Sequence, residues 1–168
     1  MEGLDAESLL SGNRQGAIPN SKLFSIQTPI FPEEPIVKEF YILHMDGLLE
    51  LRPGYAWNGG DWPAIDTLNM IYASAIHDPF CQMLHAQELS WQWRVAINQF
   101  FVSVLKQIGK INIKRGPKFF IKPRLAILNA RCKWVYRGVD KLGPNPRKRW
   151  EPKDLMIIPT IRKDLRNL

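Results

Sequence analysis

The apolar residues of this 168-residue chain change their spacing once, near residue 66, and that change limits the fold more than any other feature. Before it, two short runs, Ile36 to Leu43 and Leu48 to Leu51, flank Asp46-Gly47. Apolar runs of strand length on either side of Asp-Gly predict a β-hairpin, the pair supplying two positive φ values to a tight turn. Leu23 to Phe31 adds a further run. Pro29 makes it an irregular edge strand, because proline cannot donate to a central ladder.

After residue 66 the spacing is helical. Asp66 or Thr67 suits a helix N-cap, and Leu68, Ile71, Ala75 and Ile76 follow at close to 3.6 residues per turn. Pro79 removes an amide donor and crowds the preceding turn, so this helix is expected to end or kink at His77-Asp78. A second helix starts near Ser90, with Trp93, Ile97, Phe100, Val104 and Ile108 on one face, Ala96 and Phe101 beside it, and Gly109 as its C-terminal cap. A basic connector, Lys110 to Lys122, leads to a third helix that opens on Pro123 and buries Leu125, Leu128, Cys132, Val135, Tyr136 and Val139. The predicted fold is α+β: an N-terminal antiparallel hairpin or small sheet packed on about three helices. It occupies residues 23–142, between a polar N-terminal arm (1–22) and a basic, proline-rich C-terminal arm (143–168).

Composition excludes several classes. Hydrophobic residues make up 45% and charged residues 23%, which argues against global disorder and coiled coil. No apolar run approaches the ~20 residues of a membrane-spanning helix. The acidic, polar start, Met1 to Gly16, does not read as a secretory signal. Cys81 and Cys132 are too few for a disulfide scaffold and lack metal-site spacing, so a reduced compartment is expected.

Charge is strongly graded. Residues 1–50 carry a net −5, residues 51–105 a net −2, and residues 106–168 a net +14. The basic third of the chain calls for an anionic partner: nucleic acid, anionic lipid or an acidic protein surface. Arg124, Arg131, Lys133 and Arg137 on the third helix, with Arg147, Lys148 and Arg149 in the arm, are the candidate contacts. Trp134, Tyr136 and Trp150 lie among them and could stack on bases or headgroups, or could be partly buried beside an ordinary cationic surface. No zinc finger, RNP-type or P-loop motif accompanies them. The group Trp57, Trp62, Trp91 and Trp93 reads first as core packing.

The other candidate chemistry is His77-Asp78 downstream of the glycine-rich loop Trp57-Asn58-Gly59-Gly60. Adjacent helical residues point about 100° apart, so the two side chains can flank one cavity but cannot stack. In a metal-assisted hydrolase His77 would be the general base, Asp78 a ligand to Ca²⁺ or another divalent metal, and Gly59 and Gly60 a backbone cradle. Phospholipase A2-type sites combine a glycine loop, an Asp and a His in this way. Asp61 and Asp66 are further carboxylate candidates. The alternative is that His77 satisfies a buried carbonyl and Asp78 pairs with an arginine.

The run from Gly54 to Cys81 resembles a phage and prophage family catalogued as a domain of unknown function, number thirteen fifty-three. The residues that carry the resemblance are Gly54-Tyr55-Ala56-Trp57-Asn58-Gly59, Pro63, Asp66-Thr67, His77-Asp78-Pro79-Phe80-Cys81 and, later, Ala96-Ile97-Asn98-Gln99-Phe100; in order and spacing it covers roughly residues 23–142. This chain has Asn58 and Asn98 where that family usually has Asp, and Cys81 where it usually has Tyr. The resemblance places Asn98 with His77 and Asp78 in the presumed site. Two of the departures replace a carboxylate by a carboxamide, which can orient a histidine but supplies no negative charge. The resemblance, the two arms and the charge gradient together imply a phage-type binding or structural protein, a virion or assembly component. It would contact neighbouring proteins or nucleic acid, in the host cytoplasm or the virion. A metal-assisted ester or amide hydrolase is the alternative.

Overall fold

The computed structural model describes residues 16–17, 23–57 and 67–143. Its fold is α+β, with six short strands followed by three helices among these residues: β1 (Gly16–Ala17), β2 (Phe24–Gln27), β3 (Ile36–Val37), β4 (Tyr41–Leu43), β5 (Leu48–Leu51), β6 (Ala56–Trp57), α1 (Leu68–His85), α2 (Arg94–Lys114) and α3 (Ile121–Leu142). The antiparallel sheet has the order β2-β5-β4-β3, and β1 pairs with β6 in a separate two-stranded ladder. β2 is an edge strand, and it ends two residues before Pro29. The two arms lie almost wholly outside the described residues, as do Gly59, Gly60, Asp61, Asp66, Arg147, Lys148 and Arg149.

The hairpin forms at Asp46-Gly47, but only Gly47 has a positive φ, +82°. Its amide donates to the His44 carbonyl, and the His44 amide donates to the Leu48 carbonyl, which makes a three-residue loop closed by a left-handed glycine rather than a two-residue turn. Thr28 fastens the tip to the end of β2: its amide and hydroxyl both donate to the Gly47 carbonyl, at 2.9 and 2.8 Å. The run Ile36 to Leu43 is not one strand. It folds back on itself as β3 and β4, with Ile36 opposite Leu43 and Val37 opposite Ile42. The fold-back leaves Ile36, Tyr41, Ile42 and Leu43 buried while Lys38 and Glu39 stay in solvent.

α1 continues through Pro79 to His85. Proline costs it one hydrogen bond to the Ala75 carbonyl. Packing offsets this, because Pro79 and Phe80 are both fully buried, and a buried Phe side chain is worth roughly 2–3 kcal/mol. α1 is buried along most of its length and round most of its circumference, as a central helix must be. It ends in a Schellman-type turn: the Gln87 amide donates to the Leu84 carbonyl and the Glu88 amide to the Met83 carbonyl, with Gln87 at φ +59°.

α2 begins at Arg94, after a 3-10 turn (Trp91–Trp93) set by Ser90, whose hydroxyl accepts from the Gln92 amide. It passes through Gly109, which is not a cap. A Cβ there would lie 2.6 Å from Leu128 Cδ1, so this glycine lets α3 approach α2 closely. Most of the expected basic connector is therefore helical. α3 follows a second 3-10 turn (Lys118–Phe120), and Pro123 occupies its first turn, where no amide partner is lost. One core joins Leu43, Leu49 and Leu51 of the sheet to Met70, Phe80 and Met83 of α1, Ile97 and Phe101 of α2, and Leu128, Cys132 and Val135 of α3. Trp57 is in that core, with Trp91 and Trp93 packed against it.

Candidate functional sites on the second helix

α2 packs against α1 on one side and α3 on the other, and a candidate site lies at each contact.

At the first contact, the sequence candidates His77 and Asn98 meet. His77 Nε2 is 3.1 Å from Asn98 Oδ1. The two residues are 8% and 1% exposed, so this bond is made away from water. An amide oxygen only accepts, so Nε2 carries the ring proton and Nδ1 is left as an acceptor. Cys81 Sγ is 3.3 Å from that Nδ1 and 3.8 Å from Nε2, so it lies over the face of the ring. The Phe101 ring covers the imidazole, with centroids 4.6 Å apart. Burial pushes the imidazole below its ordinary pKa, and the Asn98 hydrogen bond raises it against that effect.

Asp78 faces a different neighbour. Its charge acts on Tyr55, whose phenol is pushed well above its usual range by burial first, then by Asp78, Tyr41 and Cys81. The two halves of the sequence motif, the Tyr55 loop and the His77-Asp78 turn, are thus neighbours in space. Tyr55 stacks on Trp57 with 6.1 Å between centroids, and its buried hydroxyl has no hydrogen-bond partner. The described residues contain no group of three or more His, Cys, Asp or Glu arranged to hold a metal ion. Of the expected metal ligands only Asp78 is among the described residues; Gly59 and Gly60 lie outside them.

Sequence reasoning did not single out Cys81. Its signal was the spacing His77-x-x-x-Cys81, which puts both side chains on one face of a helix. That face exists only because α1 continues through Pro79.

At the second contact, an open groove of about 560 Å³ runs between α2 and α3, lined by Val102, Lys106, Asn129, Cys132, Lys133, Tyr136 and Arg137. Among the described residues its lining holds three cations and no carboxylate. Asn129, Lys133 and Arg137 recur every four residues, a stripe about 12 Å long on α3. Trp134 is 48% exposed on the same helix.

Two other expected anion contacts are partly engaged in the fold. Arg131 Nη1 donates to Thr67 Oγ1 at 2.8 Å, tying α3 to the start of α1. Arg124 stays exposed, with its guanidinium 5.8 Å from the Phe120 ring centroid. Arg94 bridges α2 to α3 through Asp140, its Nη1 3.5 Å from Oδ1, and so takes no part in the groove.

No helix among the described residues is long and apolar enough to cross a membrane. No family model, curated protein or solved structure matches this chain, so the resemblance to the phage family rests on its motif residues alone.

Proposed function

We propose that this chain is a phage-type binding protein, a virion or assembly component that holds the phosphate backbone of nucleic acid along the α2–α3 groove. It would act in the host cytoplasm or within the particle. The observation that carries the reading is the groove itself, which Lys106, Lys133 and Arg137 line with no carboxylate among the described lining residues. Three cations in an open groove bind phosphates without reading sequence. Tyr136 in the lining and exposed Trp134 nearby provide faces on which unpaired bases stack, which favours single strands over duplex. The net +14 of residues 106–168 extends the attraction beyond the groove, while the acidic first fifty residues are available to basic neighbours in an assembly.

The test is fluorescence anisotropy with a labelled single-stranded oligonucleotide. The triple variant Lys106→Glu, Lys133→Glu, Arg137→Glu is expected to lose at least about tenfold in affinity. Unchanged affinity in a folded triple variant contradicts the reading.

A further inference from the structure

The contact between α1 and α2 carries a second kind of chemistry, independent of the basic groove. We infer that Cys81, His77 and Asn98 form a thiol site for acyl transfer, with Cys81 as nucleophile, His77 as its general base and Asn98 as the residue that positions the base.

The three side chains are in contact in the order their roles need. Cys81 is partly exposed and is not in a disulfide. His77 lies beneath it, one helical turn earlier, with Nδ1 3.3 Å and Nε2 3.8 Å from Sγ, so the sulfur sits over the imidazole face and meets the Nδ1 lone pair only after a shift of the thiol. Asn98 is buried behind His77 and accepts from Nε2–H at 3.1 Å. Nucleophile, base and orienting amide in this order are the parts of a Cys-His-Asn constellation, recognised by geometry and not by chain order. The Phe101 ring against the imidazole limits its rotation.

Among the described residues, the Tyr55 hydroxyl and Asn98 Nδ2 are two of several buried side-chain polar atoms with no hydrogen-bond partner. Buried donors are normally satisfied, and an unpaired one costs about 1–3 kcal/mol. Tyr55 lies within electrostatic range of Cys81. Its hydroxyl is a donor of the kind that a developing oxyanion needs.

The substrate class is an acyl ester or thioester. The Cys81 thiol proton passes to His77 Nδ1 as sulfur bonds to the carbonyl carbon, and the carbonyl π pair moves onto oxygen. When that pair returns, the bond to the leaving oxygen or sulfur breaks, and the leaving atom takes the proton from Nδ1. The product is an acyl thioester on Cys81. Water then gives a proton to Nδ1, bonds to the acyl carbon and displaces the sulfur, which recovers the proton. A neutral imidazole suits this route, because its free Nδ1 lone pair must receive the proton.

The test uses the full-length protein and p-nitrophenyl acetate, with the acetylated residue located by peptide mass spectrometry. The expected result is one acetyl group per chain on Cys81, added about 10²-fold faster than to cysteine in an unstructured peptide. Cys81→Ser is expected to abolish the labelling, and His77→Gln to slow it by a similar factor. Asn98→Leu is expected to slow it and Asn98→Asp to restore it, since a carboxylate also orients the imidazole; a purely structural Asn98 would not give that rescue. Acetylation of wild-type Cys81 at the rate of an ordinary thiol overturns the inference, and this readout stands even if the His77 or Asn98 variants do not fold. So does a folded His77→Gln protein that reacts at the wild-type rate.

Discussion

His77 on α1 and Asn98 on α2 are joined by a 3.1 Å side-chain hydrogen bond, 21 residues apart in sequence and buried from solvent. The bond fixes the register of the two helices at a point where an apolar core alone would tolerate sliding. It also makes the α1–α2 contact sensitive to chemistry that leaves packing volume almost unchanged.

Asn98→Leu is expected to destabilise the protein by about 1 kcal/mol, since it leaves the buried Nε2–H of His77 unpaired at similar volume but also removes the unpaired Asn98 Nδ2. Urea denaturation of wild type and variant measures the difference. A loss near zero would mean that the bond contributes nothing net.

Burial lowers the pKa of His77 in the folded protein, so the unfolded chain binds a proton there more readily. The sign follows: this contribution to stability is fully present above the ordinary histidine pKa of about 6.5 and is lost as pH falls from there towards the lower folded value. The urea midpoint is expected to drop between pH 7.5 and pH 5. In a folded His77→Gln protein that drop should shrink.

Gln87 ends α1 in the left-handed region at φ +59°, which costs a side-chain-bearing residue roughly 1 kcal/mol. Gln87→Gly is expected to raise stability by about 0.5–1 kcal/mol, the extra freedom of glycine in the unfolded chain cancelling part of the gain. Thermal melts of the two proteins are sufficient to detect it.

Gly47 is the opposite case. Its φ is +82°, and a Cβ there would lie 2.6 Å from the Thr28 backbone carbonyl oxygen, which cannot rotate away. Gly47→Ala is expected to cost about 2 kcal/mol or more, from strain plus displacement of the Thr28 clasp. The same melts test it.

Much of the architecture was legible from the spacing of apolar residues. Asp46-Gly47 marked the hairpin, the run from Leu23 gave an edge strand, β2, that ends before Pro29, and the stripe Leu128, Cys132, Val135 marked the buried face of α3. The misreadings came where tertiary packing outweighs local preference. Pro79 signals a helix end, but a fully buried Pro79-Phe80 pair keeps α1 intact. Gly109 resembles a cap because the closeness of Leu128 cannot be seen in one dimension. Ile36 to Leu43 reads as one strand because Lys38-Glu39-Phe40 contains no glycine or proline to announce the fold-back. At the candidate site, the pairing of His77 with Asn98 followed from the motif, whereas Cys81 required knowing that α1 continues. The groove cations Lys133 and Arg137 were visible as charge; Lys106 joins them only through the α2–α3 contact.

The most direct measurement of the proposed function is the salt dependence of oligonucleotide binding by the wild-type protein. Three phosphate contacts in the groove give a slope of log K against log[salt] of about −2 for a single strand, and steeper if the basic arm takes part. A slope near zero, or no binding at low salt, would contradict a phosphate-binding role for the α2–α3 groove.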